Sequence, residues 1–334
     1  MFSYINNVSD IFYLISKEIH DIGEVEIFYS SKQKYIFCDM RNYQELQKNT
    51  DYIVVKDGLE KTKIIKSIKI LQVNRSDFTI KQMENIKEMN PNIIFELQDE
   101  SFVSKSRIIK SEQEIEKIKI SQRINEKALE LSLPKLKYIS EVQFANIIKQ
   151  NHLNFQKLGM KISADTSFVI VAFGESANPH HSNRKDRSLK PDVVLVDICH
   201  YQYHSDMTRC FFDPKSAKYL KLYQKLEKIV SEITEEIKIQ NCSELHISAE
   251  KKLKYKKYFT HSLGHILNVH EKPFLSFKST DFIKEGQVFS VEPIYIPEKK
   301  IFRFENLVYI SSKATTLTNW DSKKIYFGNN ILET

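Results

Sequence analysis

Over roughly the first hundred residues, apolar side chains recur in short runs with a period of two. Glu24 to Ser30 (EVEIFYS), Tyr35 to Cys38, Tyr52 to Val55 and Ile93 to Leu97 are rich in β-branched and aromatic residues and read as strands. Asn7 to Ile22 and Ile80 to Met89 have spacing compatible with helices. Residues 1–105 are therefore expected to form a small α/β domain. It holds no chemical constellation: Asp39 and Asp51 read as loop carboxylates.

A polar stretch from Gln98 to Lys110 marks the expected boundary, and the period then lengthens. Ser111-Glu112-Gln113-Glu114 is a capping-box pattern, predicting a helix that runs toward Leu133 and stops at Pro134. Ser140 to Gln143 repeats the cap, and Phe144, Ile147, Ile148, Phe155 and Leu158 form a helical stripe ending at Gly159. A third helix is expected over about Ser216 to Ile239, with Tyr219, Tyr223, Leu226, Val230, Ile233 and Ile237 facing inward. Strand-like segments lie between and after these helices: Phe168 to Phe173, Val193 to Asp197, Met207 to Phe212, Val288 to Ile296 and Arg303 to Ile310. Residues 106–334 thus read as a second, α+β domain.

Composition narrows the classes. With 41% hydrophobic and 28% charged residues over 334 positions, the chain has ample core and cannot be wholly disordered. No apolar run approaches the roughly 18 residues of a membrane span, so no membrane partner is expected. The net charge of +7 comes from lysines spread among glutamates rather than from a basic patch, so no nucleic acid is expected either. No basic residue precedes Lys17, and the four cysteines (Cys38, Cys199, Cys210, Cys242) form no CxxC pair. A cytoplasmic setting is expected.

The chemistry concentrates in two strand pairs. In VVLVDICHYQYHSDMTRCFF, Asp197 and Asp206 lie nine positions apart, so a hairpin centred between Tyr201 and Gln202 would set them opposite each other. Opposed Cβ atoms on one face are about 4.5–5.5 Å apart. Tyr201-Gln202 is poor two-residue turn chemistry, which predicts an irregular hairpin. Glu292 in VFSVEPIYIP and Glu305 in IFRFENLVYI, thirteen positions apart, permit a second opposed pair about a turn at Glu298-Lys299. His261-Ser262-Leu263-Gly264-His265 comes between the two. Four carboxylates and a histidine that converge would repel one another unless cations lie among them, and they balance two divalent ions. Oxygen-rich ligation with one imidazole favours Mn²⁺, with Co²⁺, Fe²⁺ or Zn²⁺ as alternatives. Taken singly, each carboxylate is more ordinary as a surface or salt-bridged group and His265 as a core histidine. A Cys199/His204 nucleophilic pair is disfavoured, since nothing is placed to orient the histidine.

The ordered series VDIC…SDMTR, HSLGH…NVHE, FSVEP and RFEN resembles the M24 metallopeptidases, the pita-bread family that includes aminopeptidase P, prolidase and methionine aminopeptidase. The resemblance covers residues 105 to 315, and the N-terminal domain is similar in size and place to the creatinase-like one of aminopeptidase P and prolidase. By resemblance, Asp197 would bind one metal, Asp206 and Glu305 would bridge, and His265 with Glu292 would complete the second, Glu292 also accepting a proton. His180 (in FGESANPHHSNRK) and His270 (in NVHE) match substrate-facing histidines, His261 would line the pocket, and Arg303 would orient carboxylates. The resemblance implies a homodimer that hydrolyses the Xaa-Pro bond of dipeptides or short proline-containing peptides. The rival reading is a non-catalytic M24-like peptide- or protein-binding protein, in which ligands are typically eroded; here all five stand.

Overall fold

The computed structural model describes residues 1–5, 11, 14, 25–56, 58–99, 102–136, 139–154, 167–174, 192–200, 205–253, 261–267, 273–296 and 300–320. The chain divides into two compact units, Met1–Arg107 and Ile108–Thr334.

In the first unit the order is β1 (Phe2–Ile5), β2 (Val25–Tyr29), β3 (Lys34–Cys38), α1 (Met40–Asn49), β4 (Ile53–Lys56), α2 (Leu59–Ser67), β5 (Ile70–Asn74), α3 (Ile80–Met89), β6 (Ile94–Gln98) and α4 (Phe102–Ile108), within which the division falls. The strands form one mixed sheet, β4-β3-β2-β1-β5-β6. Alternation places Ile27, Ile36 and Cys38 in one buried cluster and Phe28 and Phe37 in another, so both faces are covered. The four strands and the helix over 80–89 read from periodicity are present within a residue or so at each end. The predicted helix over 7–22 lies largely outside the described residues. Asp39 accepts a hydrogen bond from the Asn42 N–H at 3.2 Å, and Asp51 pairs with Lys34 at 3.4 Å. Both carboxylates have ordinary structural work.

The second unit opens with α5 (Glu112–Ser132) and α6 (Glu141–Asn154). The predicted capping box is formed: Ser111 accepts from the Glu114 N–H at 3.3 Å while Glu114 accepts from the Ser111 N–H at 2.9 Å. Ser140 and Gln143 make the same exchange. Phe155, Leu158 and Gly159 lie outside the described residues. β7 (Ser167–Phe173), β8 (Val193–His200) and β9 (Ser205–Phe212) form an antiparallel sheet. Next come α7 (Ala217–Glu236), with five of the predicted inward residues buried along it and the sixth, Ile237, buried at its C-cap, and α8 (Cys242–Leu253), capped by Asn241. β10 (Gly264–Ile266), β11 (Phe274–Leu275), β12 (Val288–Val291), β15 (Asn306–Ile310) and β16 (Ala314–Thr316) form a second sheet, while β13 (Ile294–Tyr295) pairs with β14 (Phe302–Arg303). No described helix is long and apolar enough to cross a membrane.

Alternation along β8 sets up the site. Val194, Val196 and Ile198 enter the cluster with α5 and α6, whereas Val193 and Leu195 face the other way, into the cluster with α7, α8 and the second sheet. Asp197 and Cys199 continue that second face. On β9 the same face carries Asp206, Thr208, Cys210 and Phe212. Each strand is therefore apolar at one end of this face and polar at the other.

Two expectations about strands are corrected. The hairpin does not set Asp197 opposite Asp206: the register pairs Asp197 with Thr208 and Cys199 with Asp206. The two-residue offset keeps both aspartates on one face, diagonal to each other. The runs 288–296 and 303–310 are also not continuous strands. The Glu292 N–H donates to the Leu263 carbonyl at 2.8 Å and the Glu305 N–H to the Thr208 carbonyl at 3.2 Å, so both leave the ladder, and Pro293 has no N–H to give. Pairing of Val291 with Asn306 on one side and Ile294 with Arg303 on the other leaves Glu292 and Glu305 at opposed positions in the gap.

Gly264 is required by close approach. A Cβ there would lie 1.9 Å from the Ser290 carbonyl oxygen, so only glycine lets β10 meet β12 beside His265.

Candidate metal centre

Where the polar ends of β8 and β9 meet β10, β12 and the 304–305 break, Asp206, His265 and Glu305 each offer a ligand atom, all within 4.8 Å of one another. His265 Nε2 is 3.9 Å from Asp206 Oδ2 and 3.7 Å from Glu292 Oε1. Its Nδ1 lies 2.7 Å from the Ile266 carbonyl oxygen, which can only accept. Nδ1 therefore donates to that carbonyl, and Nε2 is the ring atom turned to the carboxylates, the one through which a metal would be bound.

Asp197 stands apart from that trio. Arg303, almost fully buried, donates to Asp197 through Nη2, reaches Glu292 Oε2 through Nη1 at 3.0 Å, and donates from Nε to Thr208 Oγ1 at 2.8 Å. Thr208 in turn donates to Glu305 Oε2, and Ser290 donates to Glu305 Oε1. Each Glu305 oxygen is thus aimed by a hydroxyl. Arg209 supports the same glutamate from behind, donating to the carbonyls of Thr208 and Glu305 and, at 2.7 Å, to Asn306 Oδ1.

The electrostatics are those of an acidic cluster short of positive charge. Burial pushes the Asp197 carboxyl up to about 6, Arg303 opposing and Glu305 adding. Glu292 is pushed up to about 8, again by burial first, with Arg303 opposing and Glu305 and Asp197 adding. Asp206 stands well above the carboxylate range through burial and then the charges of Glu305, Asp197 and Glu292. Burial lowers the Arg303 value, but the surrounding carboxylates outweigh it and hold the guanidinium firmly charged. One arginine cannot balance four carboxylates. An imidazole nitrogen aimed among buried oxygens that lack countercharge fits a divalent cation.

Other predicted residues are placed as follows. His261 is half-buried, its Nδ1 bonded to the Ser262 carbonyl. His180, His270 and His204 lie outside the described residues. Cys199 is buried, and burial together with Asp206, Asp197 and Glu305 pushes its thiol well up, away from a reactive thiolate. Thr208 and Ser290 were missed by sequence reasoning. Thr208 lies two residues after Asp206 on the same face of β9, so the period of two could have found it, whereas Ser290 is paired with His265 across two strands that sequence alone does not bring together.

The family model for metallopeptidase family M24 matches residues 116–312. The Xaa-Pro dipeptidase from Bacillus anthracis superposes with a TM-score of 0.85 at 23% identity, covering 98% of this chain and 95% of that one. The prolidase from Pyrococcus furiosus gives 0.80 at 25% identity, covering 96% of each. A relative from Mycoplasma genitalium, named provisionally as a Xaa-Pro aminopeptidase, is 28% identical over 330 residues, 92% of this chain and 80% of its own length. The family match spans more than half of the chain, and the shared pita-bread fold agrees with it: the chain belongs to metallopeptidase family M24.

Proposed function

We propose that this peptidase uses two divalent ions, manganese foremost, to hydrolyse the Xaa-Pro bond of dipeptides or short peptides. The observation that carries the reading is the trio of buried Asp206 and Glu305 with half-buried His265, Glu292 lying against His265 and Asp197 across Arg303. In this reading Asp197, Asp206 and Glu305 would serve one ion, and Asp206, Glu305, His265 and Glu292 the other. Bound there, the ions supply an activated water at neutral pH and polarise the scissile carbonyl.

The chain's own groups do the rest. Thr208 and Ser290 fix both Glu305 oxygens, and Arg303 holds Asp197 and Glu292 at a set separation, so no carboxylate need reorganise during turnover. Glu292 accepts the proton, with Arg303 stabilising its charged form. By the family resemblance, His180 and His270 would face the substrate and His261 would line the pocket. A proline after the scissile bond makes it a tertiary amide without an N–H, so the site can select the ring by shape and leave no donor unsatisfied. A cytoplasmic homodimer is the proposed setting; the four cysteines are free and buried, as a reducing compartment allows.

The test is a peptide panel on Mn²⁺-loaded protein. Gly-Pro or short Xaa-Pro-Xaa peptides should be cleaved, with little action on N-acetylated versions. Release of methionine from Met-Ala-Ser with every Xaa-Pro peptide intact would move the substrate class, and inactivity on all of them would favour the binding-protein reading.

A further inference from the structure

The face of α5 turned to the β8–β9 hairpin carries Ser121 and Asn125, both fully buried. One amide group of Asn125 reaches both strands: Nδ2 donates to the Ile198 carbonyl of β8 at 3.3 Å and to Ser205 Oγ of β9 at 2.9 Å. Ser205 Oγ also lies 2.8 Å from Ser121 Oγ. Ile198 directly follows Asp197, and Ser205 directly precedes Asp206. The amide therefore grips the chain neighbour of each aspartate from the opposite side of the sheet.

Apolar burial alone does not decide how this hairpin pairs. A slip of two residues, which would set Asp197 opposite Asp206, returns every side chain to its own face. All eight residues of β9 are buried, so the slip meets no change from core to solvent along that strand. Polar contacts do distinguish the two pairings. A slip to that pairing moves Ser205 along β8 by about 7 Å, from opposite His200 to opposite Ile198, and so takes its hydroxyl away from both its 2.9 Å bond with Asn125 and its 2.8 Å contact with Ser121. The buried Ser121 and Ser205 hydroxyls would then lose each other and the amide would lose one of its two acceptors, which buried polar groups do not tolerate cheaply.

We infer that Asn125 is a positioning residue: through Ser205 and Ile198 it selects the β8–β9 register and so fixes the spacing of Asp197 and Asp206. The inference rests on the proposed metal role of these aspartates. Asn125 touches neither of them, and it comes from a helix that contributes none of the five proposed ligands.

The experiment compares Asn125→Ala, Ser205→Ala and the double variant with the wild-type chain, reading Mn²⁺ affinity by calorimetry, melting temperature without metal, and kcat and KM on Gly-Pro. Each single variant should weaken Mn²⁺ binding roughly tenfold, the scale of lost outer-shell support. The double variant should weaken binding by less than the product of the two single effects, because both singles remove the Asn125–Ser205 contact. At saturating Mn²⁺, kcat should fall with KM little changed. Ser205→Ala removes a single oxygen and supplies the readout should Asn125→Ala fail to fold. A lower melting temperature with unchanged Mn²⁺ affinity in either variant overturns the inference and leaves Asn125 merely structural. If the wild-type chain itself binds no Mn²⁺, the metal reading beneath it falls as well.

Discussion

Replacing Asp206 by asparagine should cut hydrolysis by more than about a hundredfold, since even outer-shell partners of a metal are worth roughly 10–100-fold. The same change should raise the melting temperature of the metal-free protein at pH 8. Without cations, burial and the charges of Glu305, Asp197 and Glu292 all oppose an ionised Asp206, and a neutral amide of the same shape removes that repulsion. Wild-type protein should gain stability from Mn²⁺, and the variant should gain far less. Activity assays and paired thermal melts with and without chelator read all three. Full activity in the variant would sink the bridging role, and a lower metal-free melting temperature would show that the cluster is not the repulsive one described.

Metal-free protein should lose stability as pH rises from about 5 to 8. Unfolded carboxyl groups titrate near 4. In the folded chain Asp197 is pushed up to about 6, Glu292 up to about 8, and Asp206 well above its usual range, in each case by burial first. Between the unfolded and folded values the native state holds protons that the unfolded state has released. The contribution of these groups is thus fully present below about pH 4 and is lost as pH climbs through the folded values. Bound cations neutralise the same carboxylates, so the melting-temperature gap between Mn²⁺-loaded and chelated protein should widen with pH. With free metal at a hundred times Kd the stabilisation is about 2.7 kcal/mol per ion, each a shift on the order of 4 °C for a chain of 334 residues. A gap that narrows from pH 5.5 to 8 would contradict the assignment.

What was legible in the sequence was what local physics decides. Ser111 with Glu114 and Ser140 with Gln143 announce their helices because a cap is a contact three residues long. Glu292 and Glu305 keep the opposed register their spacing suggests, since the ladders on both sides continue in step. The hairpin of Asp197 and Asp206 misled because period-two alternation is the same in registers two residues apart; the poor turn chemistry of Tyr201-Gln202 was the local sign against the tighter pairing, and the contacts from Asn125 come from eighty positions before Ser205. α1 escaped because MRNYQELQKN is mostly polar, with Leu46 its fully buried anchor. The break at Glu292 was equally hidden, since its N–H leaves the ladder for the distant Leu263 carbonyl.

The central claim is that the acidic cluster holds two divalent ions and that peptide hydrolysis depends on them. Equilibrium dialysis of metal-stripped protein against increasing free Mn²⁺, with elemental analysis of the retained metal and Gly-Pro hydrolysis measured on the same samples, addresses it directly. The account predicts saturation at about two ions per chain, with activity rising as they fill and vanishing on chelation. Full hydrolysis by protein that retains no metal, or saturation with no ion bound near Asp206, His265 and Glu305 as judged by unchanged uptake in Asp206→Asn, would contradict it.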